Sequence, residues 1–491
     1  MLNLPGITRR DLLKAGAMGA LSLGTRFQLQ EARPAAASSS RLPGFGRARS
    51  CILLFLFGSP SQHDTFDPKP NAPDNVRGEF RPIATSVPGT QICELFPRTA
   101  RICDQATIVR SMTHPYPIHG IAYAVTSTPT LDIPMQLNPR DSRNWPFIGS
   151  VVEHVDQRRG TTRGEGVPNN IALPWLTSSR RNHPSRDAGP YGHFLGTAAD
   201  PIWTEFQGEG NDTLYYDPSS PNPNLDPYGG LKPGFRFPLG VGEGLSAEVG
   251  LARLDDRRRL LRHLDSASRT IDRQDAMGAF DHHRRRAFAV LTSNETRQAL
   301  DVEREAAAVR ERYGMTLFGQ ASLAARRLVE AGSRFVTVFW DDFHHLQSAW
   351  DTHSYHYPKM RNLLCPGLDQ TFTALIDDLR TRGLLDETLV VCMSEHGRTP
   401  RLVANRPGGG RDHWSSVYSM ILAGGGIARG RVVGRSDSQG GEVAATPVSP
   451  KDVLATMYHL LGIDPHTILI DRLGRPVPAA GEGQVRAELL G

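Results

Sequence analysis

Histidine and carboxylate side chains gather at four separate places in this chain, each beside an apolar run. His63 and Asp64 lie in Gly58-Ser-Pro-Ser-Gln-His-Asp-Thr-Phe-Asp67, just after the first run. Asp341 and Asp342, then Asp351, His353 and His356, follow the second. Glu395, His396, Gly397 and Arg398 follow the third, and Arg411, Asp412 and His413 precede the fourth. Imidazole and carboxylate form the nitrogen and oxygen set that divalent ions such as zinc or manganese take, the carboxylates offsetting their charge. A single His-Asp pair fits a surface hydrogen bond equally well, Asp351 alone fits a helix N-cap, and Glu395-His396 alone fits a turn. Four such groups brought to one edge favour a metal site. Its ligands would be His63, Asp64, Asp351, His353, Glu395, His396 and His413. Arg398 and Arg411 would hold an anion, since a guanidinium fork matches tetrahedral oxyanions. His114 or His119 would protonate a leaving group.

The elements that must position these residues are legible as runs. Ser50–Phe57 is continuously apolar and ends in Gly58-Ser59-Pro60, as a strand buried on both faces does. Similar runs cover 334–340, 388–394 and 417–423, with helical patterns at 321–330, 368–382 and 451–461. Pro450 and Gly462 bracket the last helix. Alternating strands and helices predict an α/β fold, a mostly parallel sheet with helices on both faces. In such a sheet ligands bind beyond the carboxyl ends of the strands. The stretch 160–245 is rich in Pro, Gly and Asn, and 247–313 is charged and amphipathic with Arg284-Arg285-Arg286; together 160–313 is expected to be an insertion or cap.

Residues 8–24 carry an arginine pair (Arg9-Arg10), then a short uncharged run from Ala15 to Gly24, with Ala35-Ala36-Ala37 beyond. That is the pattern of a twin-arginine export signal over 1–37, followed by a linker at 38–49. It predicts a soluble protein outside the cytoplasm, periplasmic or extracellular. No later segment approaches the length of a membrane span. The 491 residues, 39% of them hydrophobic, suffice for a large core. Of the formal net charge of +5, the signal region holds +3, and the remaining charges are interspersed. Nucleic acid is therefore not expected as a partner, because phosphate backbones need a concentrated basic face. Five irregularly spaced cysteines exclude a disulfide framework, although Cys93 and Cys103 are placed to pair.

From Ser50 onward the chain resembles the DUF1501 proteins, exported proteins related to the alkaline phosphatase and sulfatase superfamily. The resemblance is carried by 58–70, by Val-Arg-Ser-Met-Thr-His-Pro (109–115), Trp-Asp-Thr-His (350–353), Glu-His-Gly-Arg-Thr-Pro (395–400), Gly-Arg-Asp-His-Trp (410–414) and 423–427. It implies an alkaline-phosphatase-like three-layer sandwich over 50–491, one or two divalent ions (zinc, manganese or calcium), and a small-molecule or glycan ester substrate. The superfamily's first Asp matches Asp64, its later Asp-and-His pair Asp351 and His353, its acidic-His-Gly motif Glu395-His396-Gly397, and its final His matches His413. Its hydroxyl nucleophile falls at Ser111, which equally fits a turn after the strand 106–110. The chain departs from the pattern in three ways: Glu395 stands where Asp is usual, His396 where DUF1501 members commonly have Phe, and no Cys-x-Pro-x-Arg stretch supports a formylglycine mechanism. The activity implied is hydrolysis of phosphate or sulfate esters. The alternative is a catalytically silent member that binds a glycan or a protein.

Overall fold

The central strand β1 (Ser50–Leu56) is buried at all seven positions, because it lies between two parallel neighbours and under helices on both faces. This computed structural model describes residues 42–161, 166–181, 186–210, 213–215, 224–226, 229–240, 293–343 and 349–491. The segment expected to be an export signal, the first residues of the expected linker, and most of the charged stretch with Arg284-Arg285-Arg286 lie outside the described residues. Seven further strands join β1: β2 (Ala106–Met112), β3 (Asn170–Leu173), β4 (Ile202–Trp203), β5 (Phe335–Trp340), β6 (Thr388–Met393), β7 (Tyr418–Ala423) and β8 (Arg431–Val433). Their order across the sheet is β8-β2-β7-β6-β1-β5-β3-β4. Every strand runs parallel to β1 except β7, which pairs antiparallel with both β6 and β2. The expected α/β class and mostly parallel sheet are present.

Side chains alternate along a strand, so β5 shows how the two faces are covered. Phe335 packs edge-on against Phe147 at the start of α2 (Ile148–Arg159), which follows the short α1 (Ile121–Val125). Trp340, five residues on and therefore on the other face, packs on Phe318 of α3 (Leu317–Glu330). It also lies over Gly367 of α4 (Cys365–Thr381). The last long helix, α5 (Pro450–Leu460), starts with a capping box: Ser449 accepts from the Asp452 N–H and the Asp452 carboxylate accepts from the Ser449 N–H.

Part of the stretch expected to be an insertion belongs to the sheet instead. β3 pairs in parallel register with β5, Ile171 opposite Val336, and β4 extends that edge. The helix 294–300 packs on α3, and 307–313 packs on α3 and α4. Three apolar residues, Ile171 to Leu173, between two asparagines and a proline are too few to show a period, which is why β3 is hard to read. The pairing expected of Cys93 and Cys103 is not made: all five thiols are free and buried, and Cys103 donates to the Thr99 carbonyl. Among the described residues no helix is long and apolar enough to cross a membrane.

Candidate metal centre

The antiparallel strand explains how four segments meet. β1, β5 and β6 deliver the residues that follow them to the carboxyl edge of the sheet. β7 runs the other way, so the residues preceding it arrive at that same edge. Trp350 donates its backbone N–H to the Phe57 carbonyl at 2.9 Å, which fixes Asp351 beside the end of β1. Gly58 is required there: it has φ +92°, and a Cβ would lie 2.2 Å from the Asp351 nitrogen. Its N–H donates to Glu395 Oε1 at 2.8 Å. A two-residue ladder, Gly397–Arg398 against His413–Trp414, carries His413 back over β6.

Two groups of ligand atoms result, each with all atoms within 4.8 Å of one another: Asp351, His353 and His413, and His119, His396 and His413. His413 belongs to both. His353 Nε2 stands 3.0 Å from His413 Nε2 and 3.1 Å from Asp351 Oδ1, and His413 Nε2 is 3.3 Å from the same oxygen. His119 bridges two carboxylates, Nδ1 at 2.9 Å from Glu395 Oε1 and Nε2 at 3.4 Å from Asp351 Oδ2. It stacks on Phe57 and reaches the edge from the loop before α1.

The shorter contacts favour one tautomer at each ring. His353 Nδ1 faces Asp412 Oδ1 at 2.7 Å, closer than Arg406 Nη1 at 3.3 Å; a hydrogen donated there leaves Nε2 to offer its lone pair to an ion. His396 Nδ1 donates to the Gly397 carbonyl at 2.8 Å, which leaves its Nε2 bare. That nitrogen and Glu395 Oε2 are buried without a hydrogen-bond partner. Orphaned buried acceptors are costly unless something cationic or protic meets them. This donor set, imidazole nitrogens with two carboxylates, fits a divalent ion.

Charge is balanced tightly. Burial would raise the Asp351 carboxyl, but Arg398 and His119 outweigh it and hold it well below the usual range. Burial pulls His119 down, and the carboxylates of Asp351 and Glu395 override it, lifting His119 to about 10. Burial, aided by neighbouring cationic groups, holds His396 well below its ordinary value.

Several residues expected at the site are placed elsewhere. Asp64 is fully buried and turned to Arg411 Nε and His356 Nε2, both at 2.9 Å, and to Ser61 Oγ at 2.6 Å. His63 points away to the Gln439 carbonyl at 2.7 Å, and burial pulls it down to about 4. Neither belongs to the ligand groups found among the described residues. Arg411 spends its remaining nitrogens on the carbonyls of Val76, Thr399 and Pro400. Arg398 is equally committed, to the carbonyls of Ser59, Arg411 and Gly58 and to Asp351 Oδ1 at 2.5 Å. Both arginines are 0% exposed, so they brace the site from within and present no guanidinium to an incoming anion. His114 lies behind Glu395, donating Nε2–H to its carbonyl at 2.6 Å while Nδ1 accepts the Tyr116 N–H. Burial pulls it down to about 4, and with both nitrogens engaged it has no proton to give a substrate.

Ser111 is 0% exposed and donates to the Thr446 carbonyl at 2.6 Å, packed against Gly434. Ser111→Ala is accordingly expected to leave any turnover within about twofold and to cost about 1–2 kcal/mol in urea unfolding. A fall of three orders of magnitude in rate would restore the nucleophile role. Asp412, which the sequence places beside His413 without a role, orients His353 and is held by Arg406, which the sequence does not single out. Asp342, named in the sequence only as following the second run, is buried near Asp351 and Arg181 and raised to about 6 by that burial.

Among solved structures, the chain is similar to one titled as a complex with k-i-k-neocarrahexaose, at 12% identity and TM-score 0.38, over 85% of this chain and 72% of that one. It is similar to a sulfatase from Pseudoalteromonas sp. at 12% identity and TM-score 0.36, over 91% and 72%. A phosphonate monoester hydrolase from Silicibacter pomeroyi matches at 12% identity and TM-score 0.34, over 89% and 75%. No curated protein matches the chain significantly. Residues 48–490, nearly everything beyond the N-terminal segment, match one family described as proteins of unknown function, and the chain belongs to that family, DUF1501.

Proposed function

We propose that this protein is a metal-dependent hydrolase of phosphate or sulfate esters, acting outside the cytoplasm after export. The observation that carries the reading is the pair of bare, buried acceptors, His396 Nε2 and Glu395 Oε2, beside three converging ligand atoms of Asp351, His353 and His413. Asp351, His353, His396 and His413, with Glu395, would hold a divalent ion, which when bound supplies Lewis-acid polarisation of an ester oxygen. The chain's own residues prepare the centre. Asp412 fixes the His353 tautomer, Arg398 pins one oxygen of Asp351, and the Gly58 N–H pins one oxygen of Glu395. His119 keeps a proton between the two carboxylates and, of the two histidines expected to protonate a departing oxygen, is the one left to do so, His114 being spent on a carbonyl. Among the described residues, Ser61 donates to Asp64, Ser394 donates to the His396 carbonyl and Ser111 donates to the Thr446 carbonyl, while Ser59 only accepts the His396 N–H. Water is the attacking group in this reading.

The engagement of Ser111, the hydroxyl expected to attack, favours a second reading, a silent member that binds an anionic glycan. Elemental analysis of protein purified without chelators separates them, followed by a screen of aryl phosphate and aryl sulfate esters. The hydrolase reading expects at least one zinc, manganese or calcium ion per chain, lost in Asp351→Asn, and metal-dependent release of phosphate or sulfate. Folded protein that holds no metal and refuses added metal would end it. Bound metal with glycan affinity and no turnover would favour the silent member.

A further inference from the structure

Beyond α5 the chain forms a two-stranded antiparallel ribbon, β9 (Ile468–Ile470) and β10 (Pro476–Pro478), with Ile468 opposite Pro478 and Ile470 opposite Pro476. Directly opposed residues share a face, and alternate residues swap faces. Leu469, at 2% exposure, and its partner Val477 are turned inward onto the core. The opposite face is apolar throughout, with Ile468, Ile470 and Pro476 turned to solvent and Pro478 half-buried at its base. Ile468 is 48% exposed, Ile470 54%, and Leu473 in the connecting turn 65%. A single exposed Leu needs no account, but a contiguous apolar face does.

The rim of this face is cationic. Arg472 lies in the turn, and Arg158 and Arg159, the last residues of α2, line a groove with Ile468; Arg475, also in the turn, is paired with Asp471. The one carboxylate in the turn, Asp471, is spent on Arg475 at 2.7 Å and on the backbone N–H groups of Leu473 and Arg475. A second copy laid on this face would set arginines against arginines with no free carboxylate in the turn to relieve them. Phosphate headgroups over acyl chains match both the charge and the apolar tip.

We propose that this ribbon docks the protein on an anionic lipid surface, Ile468, Ile470 and Leu473 entering the headgroup boundary and the arginines meeting the phosphates. The root of the ribbon lies at the amino edge of the sheet. Arg334, just before β5, reaches both the Leu461 carbonyl and Asp156 of α2. The metal centre is at the carboxyl edge, so a docked molecule turns it away from the lipid. This docking is independent of the hydrolase reading.

Co-sedimentation of the full-length chain with vesicles of phosphatidylcholine, with and without an equal part of phosphatidylglycerol, tests it. Binding is expected to the anionic vesicles alone. It should weaken at least tenfold in the double variant Ile470→Asp, Leu473→Asp, and roughly fivefold for each of Arg158→Gln and Arg472→Gln. Thermal melting of each variant must match the parent, since these side chains are exposed. Equal binding by parent and variants would place any lipid affinity in another segment and overturn the proposal. So would a concentration-dependent dimer that the same variants dissolve, which would assign the face to a second copy.

Discussion

His413→Ala is expected to empty the metal centre while leaving the fold in place. His413 is the one residue common to both ligand groups, its ring centroid 4.2 Å from His119, 4.6 Å from His396 and 4.8 Å from His353. Removing a partner that merely orients a ligand typically costs about 10–100-fold in metal affinity. Asp412→Asn, which loosens only the His353 ring, should fall in that range. His413→Ala removes a donor atom outright, so the loss should exceed about 100-fold and turnover should vanish with it. Zinc and manganese titrations by calorimetry, with elemental analysis of the purified variants, read both numbers. The metal-free protein should melt close to the parent, because the ring is partly exposed and contributes little packing. Full stoichiometry and unchanged affinity in His413→Ala would show that the ion, if any, sits elsewhere.

Arg398→Met should instead destabilise the whole domain. The guanidinium is completely buried, and its partners are three main-chain carbonyls and the Asp351 carboxylate. A methionine of similar reach leaves that carboxylate buried beside an apolar side chain. Breaking a buried pair from one side costs about 3–5 kcal/mol where the remaining charge is uncompensated, and His119 still faces Asp351 Oδ2 at 3.4 Å, so a loss near the lower end is expected. Against the 5–15 kcal/mol that typically holds a folded protein together, that is a large share. Lysine should rescue little, because a point charge cannot serve three carbonyls and a carboxylate at fixed angles. Urea unfolding of metal-free parent and variant measures the loss. Had Arg398 been a substrate-anion clamp, the same variant would raise KM with its unfolding midpoint unchanged, so the two roles part cleanly.

These two residues also show where the sequence was readable. Apolar runs announced β1, β5, β6 and β7 and the helices between them, because burial on both faces leaves a continuous hydrophobic signature. The clustering of Asp351, His353, Glu395, His396 and His413 followed from placing strand ends on one edge, and His119 joined them from its own loop. Direction within the loops was not legible. His63 and Asp64 are adjacent in sequence, yet one side chain reaches a carbonyl at 439 and the other a buried arginine at 411. Arg398 and Arg411 look like anion ligands by type and position. Only their burial shows that the protein's own carbonyls and carboxylates already occupy every fork. Ser111 likewise sits at the right height on its strand, but its hydroxyl turns to Thr446.

The reversed direction of β7 has a genetic consequence. The chain leaves β6 and re-enters the sheet through β7 at one edge, so Glu395, His396, Asp412 and His413 all ride on a single uninterrupted excursion between two strands. A short insertion, deletion or recombination event confined to that stretch of the gene could exchange half of the ligand set at a stroke, with the sheet pairings untouched. Relatives that differ there would keep the same architecture while gaining, altering or losing the centre. A family can thus hold one scaffold constant and vary its chemistry through a single loop.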